Sequence, residues 1–273
     1  MPAPGQRLVA IDPGRREMIA VVTPEDDWNR GFSVSTKAYR HDAGLAVARQ
    51  RTMALQKAVV CEDSTPLSQR LHELPPRRDI LTWQAYLGAL IPVLDLVLEV
   101  RQRRCLRRLS FRTYMLRDQA LDAICARITA GHPQTTLVAF GGANSCSTGF
   151  GHAPAPQGRL RRRLGQVHGA RVCLVDAYRT SQACCRCHGQ LEHAVATAVA
   201  PDTGETKHRK PLHHVLFCKT CKNSRGAKQF YHRDYNAAKN ILACYLAEAG
   251  GVERPKALCR SKLNLNAASS PPG

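Results

Sequence analysis

The chain has 273 residues, 44% of them hydrophobic, which is enough for a well-packed domain with an insertion and too few for three domains. Lys and Arg number 40 against 21 Asp and Glu, a formal charge of +19. Such an excess opposes a compact state unless a polyanion binds, so nucleic acid is the first partner implied, with a soluble basic enzyme or ribosomal-type protein as the plainer class. No secretory signal is read in the polar residues 1–7, and the apolar stretch from Leu8 is broken by Asp12 and Pro13. An intracellular protein is expected, nuclear if the host is eukaryotic, in which the 12 cysteines are not a disulfide framework.

Residues 8–12 read as a strand ending in an Asp-Pro-Gly turn, residues 18–22 as its hairpin partner and residues 31–39 as a third strand. Residues 43–60 have apolar side chains at helical spacing, and Pro66, Pro75 and Pro76 then mark loops. Helices are predicted over 80–100 and 114–128. The apolar run 86–100 holds Asp95 and Glu99, is too short to span a bilayer and reads as a buried helix, so no membrane partner is expected. Between the two helices Arg101, Arg103, Arg104, Arg107, Arg108 and Arg112 crowd together; a solvated helix face and a contact with a phosphate backbone fit them equally.

A short strand is predicted at 135–140, a loop at 141–156, a basic helical piece from Arg159 and a strand at 171–176. Residues 181–231 are polar and cysteine-bearing and read as an insertion with its own scaffold. Residues 234–249 read as a helix and 250–273 as a disordered tail. The expected division is thus 7–180 and 232–249 for one domain, 181–231 for the insertion and 250–273 for the tail. Strands interleaved with helices behind a leading hairpin predict an α/β mixed sheet with flanking helices, as opposed to a doubly wound parallel one.

Cys184-Cys185-Arg186-Cys187 and Cys218-Lys219-Thr220-Cys221 are two C-x-x-C units. Each can place two thiolates about a tetrahedral ion, so Cys184, Cys187, Cys218 and Cys221 are predicted to hold a structural Zn²⁺. Residues 188–217 make an unusually long loop between them. A region this polar has little else to fold around, so metal binding would supply its folding energy. Reduced cysteines in a loop are the plain alternative; Cys185 and His188 are spare donors, and most remaining cysteines read as small core residues.

Three aspartates stand at the ends of elements. Asp12 ends the first strand on the face of Leu8 and Ala10, Asp176 ends the strand 171–176 on the face of Val172 and Leu174, and Asp234 starts the last helix ahead of Ala238, Ile241 and Tyr245. Taken singly, Asp234 fits a helix-capping residue and Asp12 a turn residue. Taken together, carboxylates at the ends of a strand and of a sheet-packed helix can meet around Mg²⁺ or Mn²⁺, the arrangement that two-metal phosphodiester hydrolysis uses.

With these residues in view, the chain resembles the C-terminal half of the transposon-encoded, RNA-guided nucleases called TnpB and, more closely, their eukaryotic relatives called Fanzor. The resemblance rests on Ile11-Asp12-Pro13-Gly14-Arg15-Arg16, on Asp176-Ala177-Tyr178-Arg179-Thr180-Ser181 before the first C-x-x-C, and on Arg233-Asp234-Tyr235-Asn236-Ala237-Ala238-Lys239-Asn240-Ile241 after the second. In order and spacing it covers residues 7–248. It implies an RNase H-like (RuvC) fold with an inserted four-cysteine zinc ribbon and Mg²⁺-dependent DNA cleavage, with DNA and guide RNA as partners. By motif Asp12 corresponds to the first catalytic acid, Asp234 to the last, and the four cysteines to the zinc ligands.

Two departures stand out. TnpB-like chains carry a glutamate on the strand that here reads Leu137-Val138-Ala139-Phe140-Gly141-Gly142, and Fanzor-like chains carry one where this chain has Ala177. Asp176 is the neighbouring candidate third acid, but one step along a strand turns a side chain to the opposite face unless a bulge re-aims it. Relatives also carry a long N-terminal half for guide and target recognition, and this chain begins at the first RuvC strand. The expectation is therefore a RuvC-type endonuclease with its second acid missing, the alternatives being a non-catalytic nucleic-acid-binding protein of the same fold or a zinc ribbon on an unrelated domain.

Overall fold

The computed structural model describes residues 5–27, 29–75, 80–142, 155–199 and 206–260. The chain divides into two compact units, residues 1–36 with 123–273, and residues 37–122.

The first unit is organised by a five-stranded mixed sheet in the order β3-β2-β1-β4-β5. Strands β1 (Arg7–Pro13) and β2 (Glu17–Val22) form the antiparallel hairpin predicted from the Asp-Pro-Gly turn. Gly14 is required in that turn because a Cβ there would lie 2.4 Å from the Glu17 carbonyl oxygen. Strand β3 (Phe32–Ser35) extends the hairpin, while β4 (Thr136–Gly142) and β5 (Arg171–Asp176) run parallel to β1. Continuous burial along Leu8, Val9, Ala10 and Ile11 places β1 at the centre, covered on both faces. The predicted third strand ends early, at Ser35. Ser35 pairs with Glu17, the first residue of β2, so the chain has no further edge to pair with and turns into helix α1 (Thr36–Asp42). Thr36 marks the switch by donating from its N–H to the Arg16 carbonyl (2.9 Å) and from its hydroxyl to the Arg15 carbonyl (2.6 Å).

A short helix, α7 (Gln157–Arg162), precedes β5, and one face of the sheet is covered by the last helix, α8 (Arg233–Ala249). Ala238, Ile241, Leu242 and Cys244 pack with Leu8, Ala10, Leu137, Ala139 and Val175, and Tyr245 joins from the margin. The stripe predicted from Asp234 onward is thus the face that binds the sheet. The segment after α8 differs from the expected disordered tail as far as residue 260: a 3₁₀ turn, Lys256–Leu258, inserts Leu258 fully into the same core. Residues 261–273 and most of the predicted loop 141–156 lie outside the described residues.

The polar insertion forms a separate antiparallel sheet of β6 (Leu191–Val199), β7 (Thr206–Lys222) and β8 (Lys228–His232) in the order β6-β7-β8. Its buried cluster is small, with Leu191, Leu216 and Tyr231 around Cys184 and Cys218. β8 is tied to the loop after β2 by Asn29, whose side chain donates to the Phe230 carbonyl (3.1 Å) and accepts from the His232 N–H (3.0 Å).

The second unit holds α1 from Lys37 onward, helices α2 (Leu45–Lys57), α3 (Leu67–His72), α4 (Ile80–Leu90) and α5 (Leu94–Gln102), and α6 (Arg104–Thr129) as far as Asp122. Its core is modest, built on Cys61, Leu67, Val93, Val100 and Leu106. The segment read as a buried helix is here α4 and α5, joined by a 3₁₀ turn, and most of it is exposed: Leu81, Trp83, Leu87, Ile91, Leu94 and Leu98 all face outward. Its apolar residues run around the helix instead of forming one stripe, so a small core can cover only part of them. Among the described residues, Leu81–Gln102 has the length and apolar composition to cross a membrane, with mean hydropathy 1.5. The predicted helix 114–128 is the later part of α6, which starts ten residues earlier, at Arg104.

Candidate metal centres

Strand alternation decides which carboxylates meet. Leu8 and Ala10 face α8, so Asp12, the next residue on that side of β1, faces it too. Asp234 stands in the first turn of α8, its side chain 16% exposed. His232 holds the N-cap position, and Asp234 is free of the capping role that the sequence alone allows it. Burial first, and then the Asp234 carboxylate, push Asp12 up to about 7 from its ordinary 3.8, while Arg233 pulls the other way. The charge of Asp12 is costly in this place, and that is a condition a divalent ion relieves.

Asp176 is not brought to them. Val175 and Ala177 belong to the face that packs on α8, so Asp176, between them, points to the other side. Arg260 donates to both of its carboxylate oxygens at 3.0 Å, and Arg254 lies 4.0 Å away. The Arg260 hydrogen bonds above all, with the charges of Arg260 and Arg254 and the Tyr178 N–H, hold Asp176 below its usual pKa against its partial burial. The charges acting on Asp12 are those of Asp234 and Arg233. On β4, Gly141 stands where a Cβ would sit 2.8 Å from Ile241 Cδ1 and 3.0 Å from Pro13 Cδ, so a side chain there would require the Ile241 tip to shift.

The four knuckle cysteines do converge. Their sulfurs lie within 4.8 Å of one another, with Cys184 to Cys221 at 3.8 Å and Cys187 to Cys218 at 3.5 Å. A tetrahedron with metal–sulfur bonds of about 2.3 Å has edges of about 3.8 Å, so the four thiols are spaced to hold one metal ion. The turn is shaped for it. His188 takes a positive φ of 58°, Cys184 donates its N–H to the Gly189 carbonyl (2.8 Å), and the Cys221 N–H points at Cys218 Sγ (3.4 Å). Cys185 is set apart by position: its sulfur is not among the four that converge, and burial with the neighbouring Cys184 pushes its thiol up to about 12. Among the other cysteines, Cys61, Cys125 and Cys244 are the small core residues expected, whereas Cys105 and Cys259 are exposed.

The two centres share a clamp. Asn236 and Asn240, one turn apart on α8 and fully buried, each donate to the carbonyls of both Thr180 and Ala183, at 2.7–3.2 Å. Asn236 also accepts from the Cys185 N–H (2.9 Å). Lys239 reaches the opposite way, donating to the carbonyls of Thr23 (2.8 Å) and Asp26 (2.5 Å). These residues form much of the motif after Asp234, so that motif is largely a fastening of the knuckle and the β2 loop to the helix.

Sequence reading missed the histidines. His193, His213, His214 and His232 form a ladder of rings, with neighbouring centroids 5.2–6.0 Å apart. His214, His232 and Asp234 place one donor atom each within 4.8 Å of the others, His214 Nδ1 lying 3.8 Å from Asp234 Oδ2. The signal available in the sequence was His232-Arg233-Asp234 beside the pair His213-His214; only the β7–β8 pairing, Val215 opposite His232, brings them together. Arg16 Nη1 donates to His214 Nε2 (3.1 Å) and Arg233 Nη1 to His213 Nε2 (2.7 Å). Arg233 above all, then burial and the neighbouring histidines, keeps His213 below its ordinary pKa.

The arginine cluster lies at the end of α5 and the start of α6. Arg101, Arg104, Arg107, Arg108 and Arg112 are exposed, while Leu106 turns inward, so this face of the second unit is free to meet an anionic surface.

No family model and no curated protein matches the chain. Solved structures do. A Cas12f1–sgRNA–target DNA complex is 14% identical over 86% of this chain and 38% of that one, with a TM-score of 0.40. The mini-RNA-guided endonuclease CRISPR-Cas_phi3 is 12% identical over 86% and 44%, and CasPhi-2 (Cas12j) bound to crRNA 17% identical over 92% and 49%, both with TM-scores of 0.40. This chain spans less than half the length of the chains it matches.

Proposed function

We propose that the first unit is an RNase H-like (RuvC) nuclease module carrying a four-cysteine zinc ribbon, of the TnpB/Fanzor kind, and that it acts on DNA. The observation that carries this reading is the burial of Asp12 on the α8 side of the mixed sheet, within reach of the Asp234 charge. Asp12 and Asp234 would hold Mg²⁺ or Mn²⁺, and an ion there supplies activation of water and neutralisation of the leaving oxygen. The chain's own contribution is placement: β1 and α8 hold the two acids, and Arg16 and Arg233 supply positive charge beside them for a phosphate. The formal charge of +19 and the exposed arginines of α5 and α6 support binding of a nucleic-acid backbone, DNA with or without a guide RNA. Cys184, Cys187, Cys218 and Cys221 would hold the structural Zn²⁺.

A second reading, a non-catalytic nucleic-acid-binding protein of the same fold, is favoured by one specific feature. The α8 face presents Ala177 and Gly141 where a third acid would stand. The test is cleavage of single- and double-stranded DNA in Mg²⁺ or Mn²⁺ by the zinc-loaded protein beside its Asp12→Ala, Asp234→Ala double variant. Cleavage that persists in the double variant overturns the nuclease reading, and salt-sensitive DNA binding without cleavage supports the second. Ala177→Glu sharpens the result: it restores an acid on the α8 face, and a gain of cleavage is expected.

A further inference from the structure

The histidine ladder beside Asp234 carries a different consequence. Nδ1 of His214 and Nδ1 of His232 are both buried and without a hydrogen-bond partner. A buried polar atom left unpaired costs about 1–3 kcal/mol, and here two imidazoles carrying such atoms each bring a donor atom within 4.8 Å of the Asp234 carboxylate, an arrangement that a bound ion would satisfy. Ligand atoms at 2.0–2.2 Å from one ion stand about 3–4 Å apart; the 3.8 Å between His214 Nδ1 and Asp234 Oδ2 fits directly, and the 4.8 Å limit of the full set needs only a small closure of side chains.

We propose that His214, His232 and Asp234 form a binding site for a divalent transition-metal ion, two imidazoles supplying the donors that the absent third acid does not. The site extends the reading of Asp12 and Asp234 as a metal-dependent centre and rests on it for the role of the ion, though not for its binding. The donor set fixes the class of ion. Mg²⁺ takes oxygen ligands and keeps its waters, whereas imidazole nitrogen suits Fe²⁺, Co²⁺, Ni²⁺, Cu²⁺ and Zn²⁺, with affinity rising from iron through cobalt and nickel to copper and falling again at zinc. Two imidazoles with one carboxylate leave coordination positions open for water and substrate.

Arg16 sets the threshold. A guanidinium only donates, so its contact with His214 Nε2 makes that nitrogen the acceptor and leaves the imidazole proton on Nδ1. For Nδ1 to bind an ion while the ring stays neutral, the proton must move to Nε2, and the Arg16 hydrogen bond is then lost. Metal and Arg16 therefore compete through one imidazole. Arg233, beside Asp234, adds repulsion, and the Asp12 carboxylate offsets it.

The test is a titration of the zinc-loaded full chain with Co²⁺ alone, followed by its absorption spectrum and by equilibrium dialysis. One Co²⁺ per chain beyond the thiolate-bound zinc is expected, with the weak visible bands of a nitrogen–oxygen site; intense thiolate bands would report exchange into the knuckle instead. His214→Ala and His232→Ala should each weaken uptake at least tenfold while keeping the zinc content, and a hundredfold excess of Mg²⁺ should not displace the Co²⁺. Arg16→Ala should tighten uptake, a gain that misfolding does not produce. Absence of a second ion, equal uptake in the histidine variants, or displacement by Mg²⁺ overturns the proposal. Mg²⁺-supported cleavage without Co²⁺ uptake would sink this site and leave the nuclease reading standing. Co²⁺ uptake with no cleavage under any metal would do the reverse.

Discussion

In the four-cysteine ribbon the thiols converge although little else there is buried, whereas at the sheet Asp12 is held beside fully buried aliphatic side chains, with Ala177 and Gly141 near it on the α8 face. The knuckle has four converging donors and a poor core; the sheet has a good core and few polar groups on the face toward α8. Where metal is the core, losing one ligand costs the fold, so the set stays whole or the element disappears. Where the core is hydrocarbon, a small apolar residue can stand in place of an acid without loss of structure, and Ala177 packs against that core. The difference separates the tests: the thiols are probed through folding, the acids through the nuclease assay.

The largest effect expected from this contrast is at the knuckle. Cys218→Ser should abolish tight zinc binding, forfeiting most of the roughly 10–16 kcal/mol that such sites supply, and the ribbon should lose protection in hydrogen exchange while the strands β1 and β4 keep theirs. Equal loss in both regions would break the comparison.

Asp12→Asn should do the opposite. Asp12 holds its proton more tightly in the folded chain, at about 7, than its ordinary 3.8. Its contribution to stability is therefore full below about pH 4 and is lost as pH rises through 7. In zinc-loaded protein without other metals, the parent should weaken over that range and the variant should not, a difference of up to about 4 kcal/mol at pH 8. Urea unfolding at pH 5 and pH 8 measures it, and a variant no more stable than the parent at pH 8 would place Asp12 in water.

Asn240→Ala should cost about 1–3 kcal/mol, since it strips a buried donor from two carbonyls that Asn236 still serves. The smallest change belongs to Arg260→Ala. The Arg260 guanidinium is solvent-exposed, so its removal should leave the melting temperature nearly unchanged while raising the Asp176 pKa, readable by NMR titration.

Much of this was legible in the sequence because it depends on local pattern. The hairpin around Asp12, the sheet-packing stripe of α8 and the paired C-x-x-C units each follow from spacing within a few residues, and the structure places them as read. The alternation rule also put Asp176 on the wrong side for a site with Asp12. Other features depend on partners far along the chain. His214 and His232 meet only through strand pairing across the ribbon, Leu258 is buried only because a core lies ready for it, and Gly141 is closed by Ile241 and Pro13. The helices α4 and α5 misled for a further reason: an apolar run signals burial only where enough core exists to receive it, and the second unit has little.

The asparagine clamp has a mechanical consequence. Because Asn236 and Asn240 grip the same two carbonyls from successive turns, α8 cannot slide or rotate along the sheet by one step without breaking every one of those bonds together. The helix is therefore indexed, like a shaft on a key, and the distance between Asp234 and Asp12 is set when the chain folds. Two amides that touch neither acid therefore fix how the helix presents Asp234 to the sheet.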